Sequence, residues 1–131
     1  MKGVFPILST PFDSKDNIVF EDVQSEVNYA VDAGVNGIAI ALASEIYKLT
    51  DHERYQLLEK VVNYSAGRIK VCMNTTAEST KQCIEYSKKA EDFGADAVMI
   101  APPSFGGVEQ SEIKKYFINT AEAIGIPIFM Q

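Results

Sequence analysis

The sequence predicts an α/β fold on a parallel sheet, β-α-β-α-β-α-β-α-β, from three observations. Short apolar runs alternate with amphipathic helical periods from end to end of the 131 residues. Most of those runs are nearly continuous rather than alternating, as in strands buried on both faces. The junctions also repeat. Ala33-Gly34-Val35-Asn36-Gly37-Ile38-Ala39-Ile40 parallels Phe93-Gly94-Ala95-Asp96-Ala97-Val98-Met99-Ile100, and Gly125-Ile126-Pro127-Ile128-Phe129 is a shorter third copy. Strand starts therefore recur at roughly 30 residues, the length of one βα unit.

Each element has its own signal. The first strand is predicted at 4–8, and the first helix at 20–33 with Val23, Val27, Ala30 and Val31 on one stripe. The second strand follows at 37–42. The second helix, 51–64, opens on Thr50-Asp51-His52-Glu53, a capping box, and turns Leu57, Leu58, Val61 and Val62 inward. His52 is thereby a first-turn surface residue. The third strand is 69–74, and the third helix, 80–93, opens on a second box, Ser79-Thr80-Lys81-Gln82. A fourth strand at 97–101, a fourth helix at 111–123 and a fifth strand at 127–130 complete the series. Gly34, Gly94 and Gly125 each stand where a left-handed residue closes a helix.

Composition narrows the function classes. A chain 47% hydrophobic and 23% charged, with no linker or low-complexity stretch, predicts one globular domain over 1–131. The longest apolar runs, 37–43 and 97–103, fall far short of the roughly 18 residues of a membrane span. The opening Met1-Lys2-Gly3-Val4-Phe5-Pro6 has no signal-peptide core, so a cytoplasmic protein without membrane partners is expected. A net charge of −6 without a basic stripe argues against a nucleic-acid partner. One histidine and two separated cysteines, Cys72 and Cys83, make neither a metal site nor a disulfide framework, and no cofactor motif is present.

Two architectures suit this pattern: an open, flavodoxin-like doubly wound sheet of five strands, or the first half of a TIM (β/α)8 barrel. Length favours the former, since a whole barrel takes about 250 residues. Chemistry does not. The first strand runs into Ser9-Thr10-Pro11-Phe12 and the third ends in Asn74-Thr75-Thr76, without the aspartates of a phosphoacceptor domain or the glycine fingerprint of a dinucleotide site.

The residues themselves resemble the dihydrodipicolinate synthase/N-acetylneuraminate lyase family. The resemblance runs through Gly3-Val4-Phe5-Pro6-Ile7-Leu8-Ser9-Thr10-Pro11-Phe12, Gly34-Val35-Asn36-Gly37-Ile38, Ser44-Glu45, Leu49-Thr50-Asp51-His52-Glu53-Arg54, Gly67-Arg68-Ile69-Lys70-Val71 and Gly94-Ala95-Asp96-Ala97-Val98-Met99. It implies the N-terminal half of a (β/α)8 barrel and class I aldolase-type lyase chemistry. In that chemistry a lysine on the sixth strand forms a Schiff base with pyruvate or another 2-oxo acid. No lysine here stands at a predicted strand C-terminus, so the 131-residue chain alone is expected to be inactive. The full-length protein is expected to take a small 2-oxo acid and to form homo-oligomers, as relatives commonly do.

The resemblance also places site residues. Many members carry Gly-Thr-Thr-Gly-Glu after the second strand to hold the substrate carboxylate, where this chain has Ala41-Leu42-Ala43-Ser44-Glu45. Glu45 matches, Ala41 and Ser44 replace glycines, and Leu42 and Ala43 replace both threonines. Two readings stand: Leu42 and Ala43 finish a buried strand, or they line a pocket lacking two hydroxyl donors and so shaped for another substrate. Gln131 falls at the family's proton-relaying tyrosine, and a carboxamide cannot act as general acid or base. Ser104-Phe105 stands where the synthases carry a tyrosine pair. Tyr47, after the second strand, lies near the expected pocket mouth. These departures point to a divergent subgroup acting on another 2-oxo acid or sugar-acid derivative. The alternative is a non-catalytic half-barrel module that dimerises through its open sheet edges.

Overall fold

The computed structural model describes residues 1–104 and 107–131. Helix α1 (Phe20–Asp32) precedes strand β1 (Gly37–Ile40), then α2 (Asp51–Ser65), β2 (Lys70–Asn74), α3 (Thr80–Asp92), β3 (Ala97–Ile100), α4 (Gln110–Ala123) and β4 (Ile128–Met130). The four strands form one parallel sheet in the order β1-β2-β3-β4. A doubly wound sheet reverses direction at a switch point, whereas this order simply follows the chain, as in a barrel. The open flavodoxin-like alternative is therefore excluded.

The predicted first strand is reduced to a single bridge, Ile7 to Ala39. Leu8 N–H donates to Ala39 O and Ala39 N–H to Pro6 O, both at 2.9 Å, and Gly37 N–H reaches Val4 O at 3.3 Å. The next rung of that ladder needs an N–H from residue 6, and proline has none. The segment still runs beside β1. Phe5 lies so close over Gly37 that a Cβ there would meet its ring at 2.2 Å.

The rings of Phe5 and Phe129 lie 5.6 Å apart, although their segments are separated by β1, β2 and β3. Four interstrand steps in a flat sheet would set the two segments about 19 Å apart. The sheet is thus curled, with Phe5 and Phe129 meeting across its concave face. That face carries small residues, Ala39, Cys72 and Ala97, packed by Met99 and Phe129. The other face carries the large core residues, including Ile38, Ile40, Val71, Met73, Val98 and Ile100, under α1–α4.

Helix ends follow their chemistry. Thr50 Oγ1 accepts from Glu53 N–H at 3.3 Å while Glu53 Oε2 accepts from Thr50 N–H at 2.8 Å, completing the first capping box. The second box is half formed. Ser79 caps Gln82 N–H at 3.2 Å, but the Gln82 amide turns to Tyr86 Oη at 2.9 Å instead of reaching back. Gly34 and Gly94 are left-handed as expected, and Gly125 is not. At Gly125 the constraint is proximity, since its N–H donates to Glu91 Oε1 at 3.0 Å and a Cβ would stand 2.7 Å from that oxygen.

The Thr50 hydroxyl and then its backbone N–H hold the Glu53 carboxyl below its ordinary value. A lowered folded value means the contribution is complete above the unfolded value and fades as pH falls through the folded one. Thr50→Ala is expected to cost about 1 kcal/mol at pH 7. It should also flatten the acid limb of stability, measured by urea unfolding between pH 7 and pH 3. An unchanged acid limb would remove the capping box as its origin.

Candidate active site

The loops that follow the strands gather at the C-terminal end of the sheet, where barrels of this kind place their sites. The strand after α1 ends at Ile40, not at residue 42, and Leu42–Ser44 forms a 3-10 turn. Leu42 is 50% exposed, and Ala43 is exposed beside it, so neither finishes a buried strand. Ser44 explains the early end. Its buried hydroxyl accepts from Ala41 N–H at 3.1 Å and donates to Leu8 O. Thr10 Oγ1 donates to Ser44 O at 2.6 Å, tying the loop after residue 8 to this turn. Glu45 follows in the left-handed region, exposed and ion-paired to Lys48 at 3.0 Å.

Leu42, Tyr47, Thr76, Ala101 and Pro102 line a cavity of about 420 Å³. Ala43 does not join them. It turns to a larger groove of about 650 Å³ along the N-terminal sheet edge, with Val4, Pro6, Ile7 and Leu8. The structure therefore separates the two positions that sequence matching paired. Gln131 is exposed, and its N–H donates to Ile100 O at 2.9 Å, extending the β4 register by one residue. Phe105 lies outside the described residues.

Sequence reasoning passed over the residues that organise this face. Thr76 Oγ1 accepts from Ala101 N–H at 2.8 Å, joining the loops after β2 and β3. Tyr116, buried on α4, donates to Ala77 O at 3.0 Å and accepts from Ala77 N–H at 3.3 Å. Burial pushes its phenol well up, so it works as a neutral brace rather than an acid or base. Arg54, 6% exposed, donates to Ile46 O at 3.2 Å and stacks over the Tyr86 ring at 4.6 Å, fixing the loop after the 3-10 turn. The one legible signal was the polar run Asn74-Thr75-Thr76 closing an apolar strand. Tyr116→Phe is expected to cost about 1–3 kcal/mol, because it strips a buried N–H and C=O of their shared partner. Chemical denaturation reads this directly, and a loss under 0.5 kcal/mol would show the brace to be dispensable.

Other reactive groups stand apart. Lys70, at the start of β2, pairs with Asp96 at 2.6 Å at the opposite end of the sheet. The remaining lysines lie on helices, in loops or at the N-terminal end. Burial pushes the Cys72 thiol up to about 12, so it stays protonated on the concave face. Among the described residues no three His, Cys, Asp or Glu side chains converge on a cation site. Also among the described residues, no helix is long and apolar enough to cross a membrane.

A curled parallel sheet numbered along the chain, helices on its convex face and loops converging at its C-terminal end define the first half of a (β/α)8 barrel. Residues 1–130 match the dihydrodipicolinate synthetase family, and the chain belongs to it. A 4-hydroxy-tetrahydrodipicolinate synthase of Methanococcus maripaludis (strain C7) is 36% identical over 99% of this chain and 45% of its own length. An L-2-keto-3-deoxyarabonate dehydratase of Azospirillum brasilense is 33% identical over 99% of this chain and 43% of its own. A dihydrodipicolinate synthase crystal structure superposes with a TM-score of 0.94 at 34% identity, covering 99% of this chain and 45% of that one. The chain thus spans a little under half the length of these relatives.

Proposed function

We propose that this chain is the front part of a Schiff-base lyase of the aldolase type acting on a 2-oxo acid. The observation that carries the reading is the family match over residues 1–130, on a fold whose strand-end loops enclose a cavity at the expected face. The imine-forming lysine would come from a sixth strand, outside these 131 residues. The protein is read as cytoplasmic and homo-oligomeric, without a cofactor or metal.

The loop after β1 and the residue after β4 argue for a substrate other than that of dihydrodipicolinate synthesis. Leu42 offers no hydroxyl to a carboxylate and Ala43 faces another groove, leaving that task to backbone N–H groups or to hydroxyls of the same cavity such as those of Tyr47 and Ser104. Glu45 keeps the family's residue and lines a separate groove beside Lys48, and Ser44 spends its hydroxyl on the turn itself. Gln131 hydrogen-bonds but cannot relay a proton. A divergent member handling another 2-oxo acid or a sugar-acid derivative fits this set, and both a synthase and a dehydratase stand among the relatives. Borohydride reduction of the full-length protein with pyruvate and with 2-keto-3-deoxyarabonate tests the reading. A covalent adduct is expected, and none is expected on the isolated 131-residue segment. Absence of any adduct on the full-length protein overturns it, and efficient turnover of pyruvate with aspartate semialdehyde overturns the divergent assignment.

The exposed edges support a second reading, a half-barrel that pairs with its own copy. Val4 is 63% exposed on one side and Met130 73% on the other, each beside an apolar groove. Light scattering of the 131-residue chain decides it, since pairing requires a species of twice the 14.4 kDa mass.

A further inference from the structure

The cavity under Leu42 is lined by Tyr47, Thr76 and Ser104, which bring its side-chain hydroxyls. Two of them are engaged in the fold. Ser104 donates its hydroxyl to Glu78 Oε1, and Thr76 is buried with its oxygen taken by Ala101 N–H. The Tyr47 hydroxyl has no hydrogen-bond partner among the described residues, and the side chain is 56% exposed.

The backbone that carries this phenol is pinned. Tyr47 stands between two buried anchors, Ile46 and Leu49. Arg54 Nη2 donates to Ile46 O at 3.2 Å, and Lys48 N–H donates to Glu45 O at 2.7 Å, so the turn is held on both sides of the tyrosine. The same ring lines a smaller cavity of about 210 Å³ that shares Thr76 and Glu78 with the first, so Tyr47 lies where the two adjoin. A tyrosine has two side-chain torsions, and on a fixed turn it loses little freedom when it takes up a ligand.

We propose that Tyr47 is a substrate-binding residue, its phenol O–H donating to the carboxylate that a 2-oxo acid carries beside its keto group. The inference rests on the lyase reading above and names the side chain for a task left open there. Leu42 brings no hydroxyl, Ala43 faces another groove, and Ser44 is fully buried with its hydroxyl spent in the turn. Glu78 repels an anion, so the carboxylate belongs against Tyr47 rather than against the Glu78–Ser104 pair. The loop after β1 then keeps the role that the family resemblance gives it, with the donor moved from residues 42 and 43 to residue 47. A hydrogen bond from a neutral donor to a charged acceptor is among the stronger ones, which makes its removal measurable.

The test is borohydride trapping on the full-length protein and its Tyr47→Phe variant, over a range of concentrations of pyruvate, 2-keto-3-deoxyarabonate and methyl pyruvate. Tyr47→Phe should raise the half-saturating concentration of both acids about tenfold, because both present the same carboxylate. The limiting trapping rate and the melting temperature should stay as in the wild type, the pattern of a lost binding contact. Methyl pyruvate, whose ester carries no charge, should bind the wild type more weakly and change little on substitution. Tyr29→Phe, on α1 beside the N-terminal groove, should alter none of these values. An unchanged half-saturating concentration for the acids would overturn the assignment and leave the lyase reading intact. So would an equal loss for the ester, which would show that the ring shapes the loop without holding the carboxylate. A wild type that forms no adduct with either acid would overturn both.

Discussion

Ile38→Ala is expected to remove about 2–5 kcal/mol of folding free energy, a large share of the 5–15 kcal/mol that a domain has to lose. Ile38 is fully buried in β1. It faces the helices, sharing one core with Val23 and Val27 of α1 and Leu58 and Val61 of α2. Truncation there leaves a void between the sheet and two helices that are themselves in contact, so collapse around it is restricted. In urea the midpoint should fall with the slope unchanged, the mark of lost stability without a change in exposed surface. Ile118→Ala makes the contrast. That side chain is 43% exposed on α4 beside the β4 edge, and its loss should stay within about 0.5 kcal/mol. A loss below 1 kcal/mol at Ile38 would mean that the helical layer does not close over β1.

That contrast marks what periodicity could and could not reveal. Four helices and four strands lie close to their predicted positions, because those segments carry either a helical stripe or a continuous apolar run. The face on which each strand residue falls was not legible, because runs such as Gly37-Ile38-Ala39-Ile40 are apolar throughout. Only the curl of the sheet, with Phe5 meeting Phe129, separates an interior of small residues from a helical layer of large ones. The first strand failed for a chemical reason visible in the sequence: Pro6 cannot supply the donor that a second rung requires. Leu42 and Ala43 failed for a less visible one. Their apolarity extended the strand on paper, while the hydroxyl of Ser44, two and one residues further on, turns the chain away from the sheet.

Ser44 is therefore the position where a small change should act furthest. It is fully buried, yet stands at a site where the family's resemblance places glycine. Its hydroxyl ties Ala41 N–H and Leu8 O, and its carbonyl receives the Thr10 hydroxyl, so one residue joins the loops after the first two strand positions. Ser44→Ala leaves the first two groups without that partner and is expected to cost about 1–3 kcal/mol. In the full-length protein it should also cut the rate of 2-oxo acid trapping about tenfold or more, because the turn carrying Leu42 into the pocket is released and misplacement of about 1 Å is worth a hundredfold. Thr10→Val removes the third bond while keeping the shape of the side chain. If the three bonds act as one latch, the double variant will lose less than the sum of the singles. Strict additivity would instead mean that Thr10 and Ser44 hold separate loops. A Ser44→Ala protein destabilised but trapping at the normal rate would show that the turn serves the fold and leaves the pocket unchanged.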